Sequence, residues 1–297
     1  MRLGFVGLGA MGRPMAINLA EAGHDIVVCD TDHTRTAILA QHGAAVAATP
    51  KDAADEADVV LACLPNLDAA EMVATGADGV SAGTRARAFV NMGTTGSAYS
   101  RAVAQRMAEV GKAFLDAPIS GGPPGAEAGT LGIMCSGDRA TFEALEPALD
   151  VISTKAVYVG EQPGAAQTMK LVNNIISFGN LAVALEAITL GAKAGLDPEL
   201  MIEVINASSG RNTATEAKIP NHVLTRTFDY GGAMYIIEKD LELWRREAEA
   251  YETPMWLGTN IRTLFLQCIA EVGRDKDMTA LAQTLERMAG VEIPRTR

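Results

Sequence analysis

Two short stretches of this chain carry residue types and spacings that can do chemistry. They are Lys170-Leu171-Val172-Asn173-Asn174 and Gly7-Leu8-Gly9-Ala10-Met11-Gly12. On a helix, positions i and i+4 share a face, so Lys170 and Asn174 point the same way and Asn173 points elsewhere. A lysine whose pKa is lowered by burial or by a nearby cation can pass a proton near neutrality. An amide beside it can hydrogen-bond the same oxygen or hold the lysine in place. The glycine stretch can hold a dinucleotide: Gly7 permits a tight turn, Gly9 lets the backbone approach a pyrophosphate, and Gly12 lets helix and strand pack closely. Together they predict transfer of a hydride and a proton between a nicotinamide cofactor and a small hydroxy compound. From spacing alone, a lysine at the rim of a buried helix explains Lys170 at least as well.

The elements that must position these residues are legible as patterns. Short β-like runs (Leu3–Val6, Asp25–Asp30, Val59–Cys63, Ala88–Asn91, Ala113–Asp116, Leu131–Cys135) are separated by helix-like segments such as Met11–Glu21 and Ala98–Val110. Such alternation implies βαβ units and a mostly parallel sheet. A last strand, Ala156–Val159, closes this part. The glycine stretch therefore follows a predicted strand and opens a predicted helix, the context its pattern needs. Asp30, 18 residues beyond Gly12, stands where a carboxylate accepts ribose hydroxyls and repels a 2′-phosphate. NAD is thus expected in preference to NADP, with nearby Arg35 working against that preference.

After Pro163-Gly164 the texture changes. Residues 165–195 read as one long helix, apolar on nearly all sides and therefore buried. Helical segments follow near 198–207, 239–251, 255–271 and 277–289, and no strand is expected beyond about residue 160. The expected fold is α/β: an N-terminal Rossmann domain over 1–163 and an all-helical domain over 164–297 for substrate and oligomerisation, joined by the long helix. That helix needs more cover than one small domain supplies, so a homodimer or homotetramer is expected. The net charge of −11 argues against sequence-independent nucleic-acid binding. Asn173, Asn174, Ser177, Asn180 and Glu186 argue against a membrane span for the long helix. Four cysteines (Cys29, Cys63, Cys135, Cys268) lack metal-ligand spacing, so no metal is expected; they read as buried thiols of a reducing cytoplasm.

Four segments resemble the β-hydroxyacid dehydrogenase family, which includes 3-hydroxyisobutyrate dehydrogenase and tartronate semialdehyde reductase and is related to 6-phosphogluconate dehydrogenase. They are Gly7 to Leu19, Asp116-Ala117-Pro118-Ile119-Ser120-Gly121-Gly122 with its continuation to Leu131, Gly164 to Asn174, and Lys239-Asp240-Leu241. Their order and spacing match over nearly the whole chain. The resemblance implies that Lys170 is the catalytic lysine and Asn174 its partner amide. It implies that Ser120, Gly121 and Gly122 hold a substrate carboxylate, as a hydroxyl with two exposed backbone amides can. It also places Leu64, Pro65, Asn66, Thr94 and Lys239 beside the cofactor, with Gly7, Leu8, Gly9, Ala10, Met11, Gly12 and Asp30.

Departures from the family pattern sharpen the expectation. Asn91-Met92-Gly93-Thr94 replaces Asp-x-Ser-Thr, removing one cofactor-side hydroxyl. Gly232 stands where many members have phenylalanine, which leaves two readings open: a wider pocket for a bulkier substrate, or a gap filled by Tyr230, Met234 or Tyr235. Asn173 replaces the histidine of 6-phosphogluconate enzymes, arguing against a phosphorylated sugar acid. Arg211, in Ser208-Ser209-Gly210-Arg211-Asn212-Thr213, is a candidate partner for a second carboxylate; a helix C-cap at Gly210 explains that segment equally well. The expected substrate is a 3-hydroxy acid, 3-hydroxyisobutyrate-like or bulkier. The alternatives are a semialdehyde reductase and a non-catalytic dinucleotide-binding oligomer.

Overall fold

A computed structural model describes residues 1–293. Its contacts divide into two units, Met1–Lys170 and the chain from Leu171 onward. A division after residue 163 would give all of the long helix to the second unit; by contacts, the first turns belong to the first.

The first unit is built on nine strands: β1 Leu3–Val6, β2 Ile26–Cys29, β3 Ala45–Val46, β4 Val59–Ala62, β5 Ala88–Asn91, β6 Ala113–Asp116, β7 Ile119–Ser120, β8 Leu131–Gly137 and β9 Ser153–Gly160. β1, β2, β4 and β5 are buried at every residue, as apolar strands covered on both faces must be. Side chains alternate between two cores with the strand period of two. Ile26, Val28, Leu61 and Val90 pack on one side with Met15 and Leu145, while Val27, Cys29, Val60 and Phe89 pack on the other with Val103 and Met107. The strand order is β3-β2-β1-β4-β5-β6, all parallel, followed by β8 antiparallel to β6. The order reverses between β1 and β4, and ligands of such sheets bind at that switch point, beyond the strands' carboxyl ends.

The helices of this unit are α1 Gly12–Glu21, α2 His33–Gln41, α3 Pro50–Glu56, α4 Leu67–Thr75, α5 Ser97–Glu109, α6 Gly122–Glu127 and α7 Arg139–Ile152. The long helix α8 spans Ala165–Lys193. The second unit continues with α9 Pro198–Asn206, a π-helix Ala214–Val223, α10 Met234–Ala250, α11 Trp256–Val272 and α12 Leu281–Ala289. Phe178, Leu181, Leu185 and Ile188 of α8 form its core with Ile219, Leu241, Phe265 and Leu281.

Three expectations for the second unit change. α8 is not buried all round: Met169, Val172, Ile176, Val183 and Leu190 are exposed along one face, Leu190 at 72 %. Apolar periodicity does not say whether a residue meets its own core or lies bare. α9 ends at Asn206 with Ala207 as C-cap, not at Gly210. Arg211 is 65 % exposed and faces Glu216, with Nε–Oε1 at 3.4 Å, so a carboxylate of this chain already sits against it.

Candidate active site

The carboxyl end of β1 runs directly into the glycine loop. Gly7 has φ +91°, and a Cβ there would lie 2.4 Å from the Cys63 carbonyl oxygen; at Gly12 it would lie 1.9 Å from that of Gly7. Both glycines are therefore fixed by the packing of the turn itself. Gly9 differs: a Cβ there meets nothing nearer than Arg35 Nη1 at 4.0 Å. Its bare backbone faces open space at the N-terminus of α1, whose first N–H groups have no partners within the helix. That is the cradle a pyrophosphate requires. Ala10 is exposed, and Leu8 and Met11 flank the loop.

Asp30, at the end of β2, closes this loop from the side. Its Oδ2 accepts from the Leu8 amide at 2.6 Å and its Oδ1 from the Asp32 amide at 2.8 Å. Arg35 lies 3.8 Å from Asp30 and 3.1 Å from Asp32. The guanidinium thus stands beside the glycine loop, held by two carboxylates. Leu64 packs against Gly7. Pro65 is exposed, and the Asn66 side chain caps α4 by accepting from the Ala69 amide at 2.8 Å. Thr94 is half-buried in the loop after β5.

Beneath that loop lies a network that pattern reading missed. Asp116, fully buried at the end of β6, accepts at Oδ1 from Ser100 Oγ (2.6 Å), Gln167 Nε2 (3.0 Å) and Asn91 Nδ2 (3.3 Å). Its Oδ2 accepts from the Gly164 amide at 2.7 Å. Gln167 also donates to the Gly93 carbonyl at 3.0 Å and accepts from the Thr95 and Gly96 amides at 2.9 and 3.2 Å. Burial pushes the Asp116 carboxyl up, and these donors pull it back toward the charged form. Gln167 thereby ties the first turn of α8 to the Thr94 loop, one turn before Lys170. The sequence signal was a lone carboxylate ending an apolar strand, which a buried position tolerates only with donors around it.

Lys170 and Asn174 are 7 % and 8 % exposed on one face of α8. Asn174 Nδ2 donates to Asp240 Oδ2 at 2.8 Å, and Asp240 Oδ1 accepts from Lys239 Nζ at 2.7 Å. Asn173 Nδ2 donates to Asn174 Oδ1 at 3.3 Å. Asp240, read before only as a neighbour of Lys239, therefore fixes the orientation of the Asn174 amide. In the first unit, Ser120 precedes Gly121 and Gly122, with φ of +135° and +65°. Pro123 and Pro124 follow and carry no N–H, so the donors nearest Ser120 are the two glycine amides.

Gly232 does not open a hole at its own position. A Cβ there would lie 2.9 Å from Met278 Sδ, and Tyr230 is next at 3.8 Å. Met278 fills the space, rather than Met234 or Tyr235. Among the described residues no cluster has the makings of a metal site.

Residues 2–160 match the model of the NAD binding domain of 6-phosphogluconate dehydrogenase, and residues 164–285 match that of the NAD-binding domain of NADP-dependent 3-hydroxyisobutyrate dehydrogenase. The chain belongs to the β-hydroxyacid dehydrogenase family. Its similarity to other β-hydroxyacid dehydrogenases runs end to end. It is 37 % identical to 2-(hydroxymethyl)glutarate dehydrogenase of Eubacterium barkeri, over 99 % of this chain and 97 % of that one. It is 33 % identical to 2-hydroxy-3-oxopropionate reductase of Escherichia coli, over 99 % and 100 %. The solved 3-hydroxyisobutyrate dehydrogenase of Mycobacterium tuberculosis, with L-serine, superposes with a TM-score of 0.87 at 31 % identity, covering 96 % of this chain and 98 % of that one. As a β-hydroxyacid dehydrogenase, this chain is an NAD(P)-dependent oxidoreductase acting on CH–OH groups.

Proposed function

We propose that the enzyme interconverts a 3-hydroxy acid and its aldehyde with NAD as the preferred cofactor. The observation that carries this is the buried Lys170–Asn174 face, with its amide held by Asp240. Gly7 to Gly12 and Asp30 would hold the dinucleotide, with Leu64, Pro65, Asn66, Thr94 and Lys239 as further cofactor-side residues. When bound, the nicotinamide supplies the two-electron chemistry at the substrate carbon. Protonated Lys170 gives its proton to the substrate oxygen in reduction, and neutral Lys170 removes it in oxidation. Asn174 stabilises charge on that same oxygen. Ser120 and the amides of Gly121 and Gly122 hold the carboxylate. NAD is favoured because Asp30 and Asp32 both surround Arg35 and oppose a 2′-phosphate.

The test is NADH formation, followed by absorbance, on a panel of 3-hydroxy acids. Lys170→Met should lower kcat by roughly 10²–10⁴-fold with NADH affinity unchanged. Near-normal turnover in that variant would remove Lys170 from the mechanism. Turnover only with semialdehydes in the reductive direction would favour the reductase reading on the same residues. The exposed apolar stripe on α8 supports a homo-oligomer; Val183→Lys with Leu190→Lys should then give monomers by light scattering, and unchanged mass would refute it.

A further inference from the structure

One buried cation has no part in the chemistry above. Lys218, on the π-helix, is 4 % exposed. Its Nζ donates to Ser177 Oγ at 2.8 Å and sits over the Tyr230 ring, 5.3 Å from the centroid. Among the described residues no carboxylate comes within ion-pair distance of it. Asp277 attracts it from further away, but the Asp277 oxygens are occupied by the amides of Gly231, Gly232 and Thr279 and by the Thr279 hydroxyl. A buried charge without a counter-ion is costly. An ammonium has three donors, of which one is accounted for by Ser177. The Tyr230 hydroxyl makes no hydrogen bond to any described residue. Lysine and serine donors side by side complement a carboxylate.

Its placement relates to the Lys170 face. Lys170, Asn174 and Ser177 stand at i, i+4 and i+7 on α8, along one face. Seven residues of helix rise about 10 Å. In a 3-hydroxy acid whose hydroxyl and far carboxylate are separated by four carbon–carbon bonds, the two oxygens lie about 6–7 Å apart, and a hydrogen bond at each end extends this to about 12 Å. We propose that Lys218, with Ser177 and Tyr230, forms a subsite for a second anionic group at the far end of the substrate, so that the enzyme takes dicarboxylic 3-hydroxy acids. Lys218 thus takes the role that Arg211, exposed and facing Glu216, does not fill. The proposal rests on the dehydrogenase reading for the near end of the substrate only.

The test pairs 2-(hydroxymethyl)glutarate with 2-(hydroxymethyl)pentanoate, which replaces the far carboxylate by a methyl group. Wild type should prefer the dicarboxylate. Lys218→Met should raise its KM by about 10–100-fold and leave the pentanoate unchanged, and Lys218→Arg should recover part of the loss. Equal effects on both substrates, or none on either, would overturn the subsite. Should wild type turn over neither, the panel of 3-hydroxy acids above decides the dehydrogenase reading separately, and calorimetric titration with glutarate decides the subsite. Glutarate binding lost in Lys218→Met would uphold it, and no binding, or binding unaffected by Lys218→Met, would reject it.

Discussion

Replacing Asp116 by asparagine probes the tie between the Thr94 loop and the helix that carries Lys170. Asparagine keeps the shape but turns one oxygen into a donor. Oδ1 accepts three bonds and Oδ2 one, so the amide should place its oxygen at the Oδ1 position. Its NH₂ then faces the Gly164 amide, leaving one buried backbone donor without an acceptor. Such a loss costs about 1–3 kcal/mol. The opposite orientation leaves one N–H of Asn91 and one of Gln167 without an acceptor and costs about twice that. For a unit of 170 residues, each kcal/mol is worth about 2–4 °C, so the melting temperature should fall by about 2–12 °C. Gly164 leads into α8, so releasing it also loosens the placement of Lys170. Misplacement of a reacting group by about 1 Å can cost about 10²-fold in turnover. Calorimetric melts and NADH-formation kinetics on the same variant, well below its melting point, separate the two effects. Lower kcat with nearly unchanged KM is expected. Reduced stability with normal kcat would refute the positioning role, and wild-type stability would refute the network.

Three further outcomes follow from the geometry. Gly9→Ala puts its Cβ into open space, so stability should hold while NADH binding weakens by about tenfold or more, an overpacking cost of about 1–3 kcal/mol; fluorescence titration measures it, and unchanged affinity would move the pyrophosphate elsewhere. Asp32→Asn keeps the acceptor that caps α2 but removes one of the two charges on Arg35, so kcat/KM with NADP should rise by about tenfold; no change would show that Arg35 lies away from the 2′-position. Burial pushes Lys218 down to about 8. Between pH 8 and the usual lysine value the unfolded chain then binds more protons than the folded one, so stability rises with pH there, by up to about 3 kcal/mol. Tyr230 and Asp277 face the same group; burial pushes the Tyr230 hydroxyl above its ordinary value. Urea denaturation of wild type and Lys218→Met across this range should show the rise only in wild type, and parallel curves would contradict it.

The first unit was legible because its strands are apolar on both faces and its glycine loop is dictated by local backbone geometry. β1, β5 and β6 fall at the residues expected, and β8 runs two residues past its expected end because it pairs on both sides. β3, two residues at the sheet edge, is too short to leave a period. In the second unit the π-helix was missed because Pro220 and a preceding polar turn break the helical pattern. α10 starts at Met234, five residues before its expected start, since Gly231-Gly232 directly before it read as loop. The shared face of Lys170 and Asn174 on α8 was visible from spacing, whereas a role for them came only from the family resemblance. Their supports, Gln167, Asp116 and Asp240, were not visible, because a buried polar residue is distinguished only by donors that come from distant sequence.

The Asp116 network also sets when the first unit can finish folding. Two of its four donors, Gly164 and Gln167, lie beyond the last strand and enter the helix that begins the second unit. A nascent chain that has emerged only to residue 163 has every strand of the sheet but a buried carboxylate short of half its partners. Completion waits for the first two turns of α8 to leave the ribosome, and a fragment ending at Gly160 should be less cooperative in unfolding than one ending at Lys170.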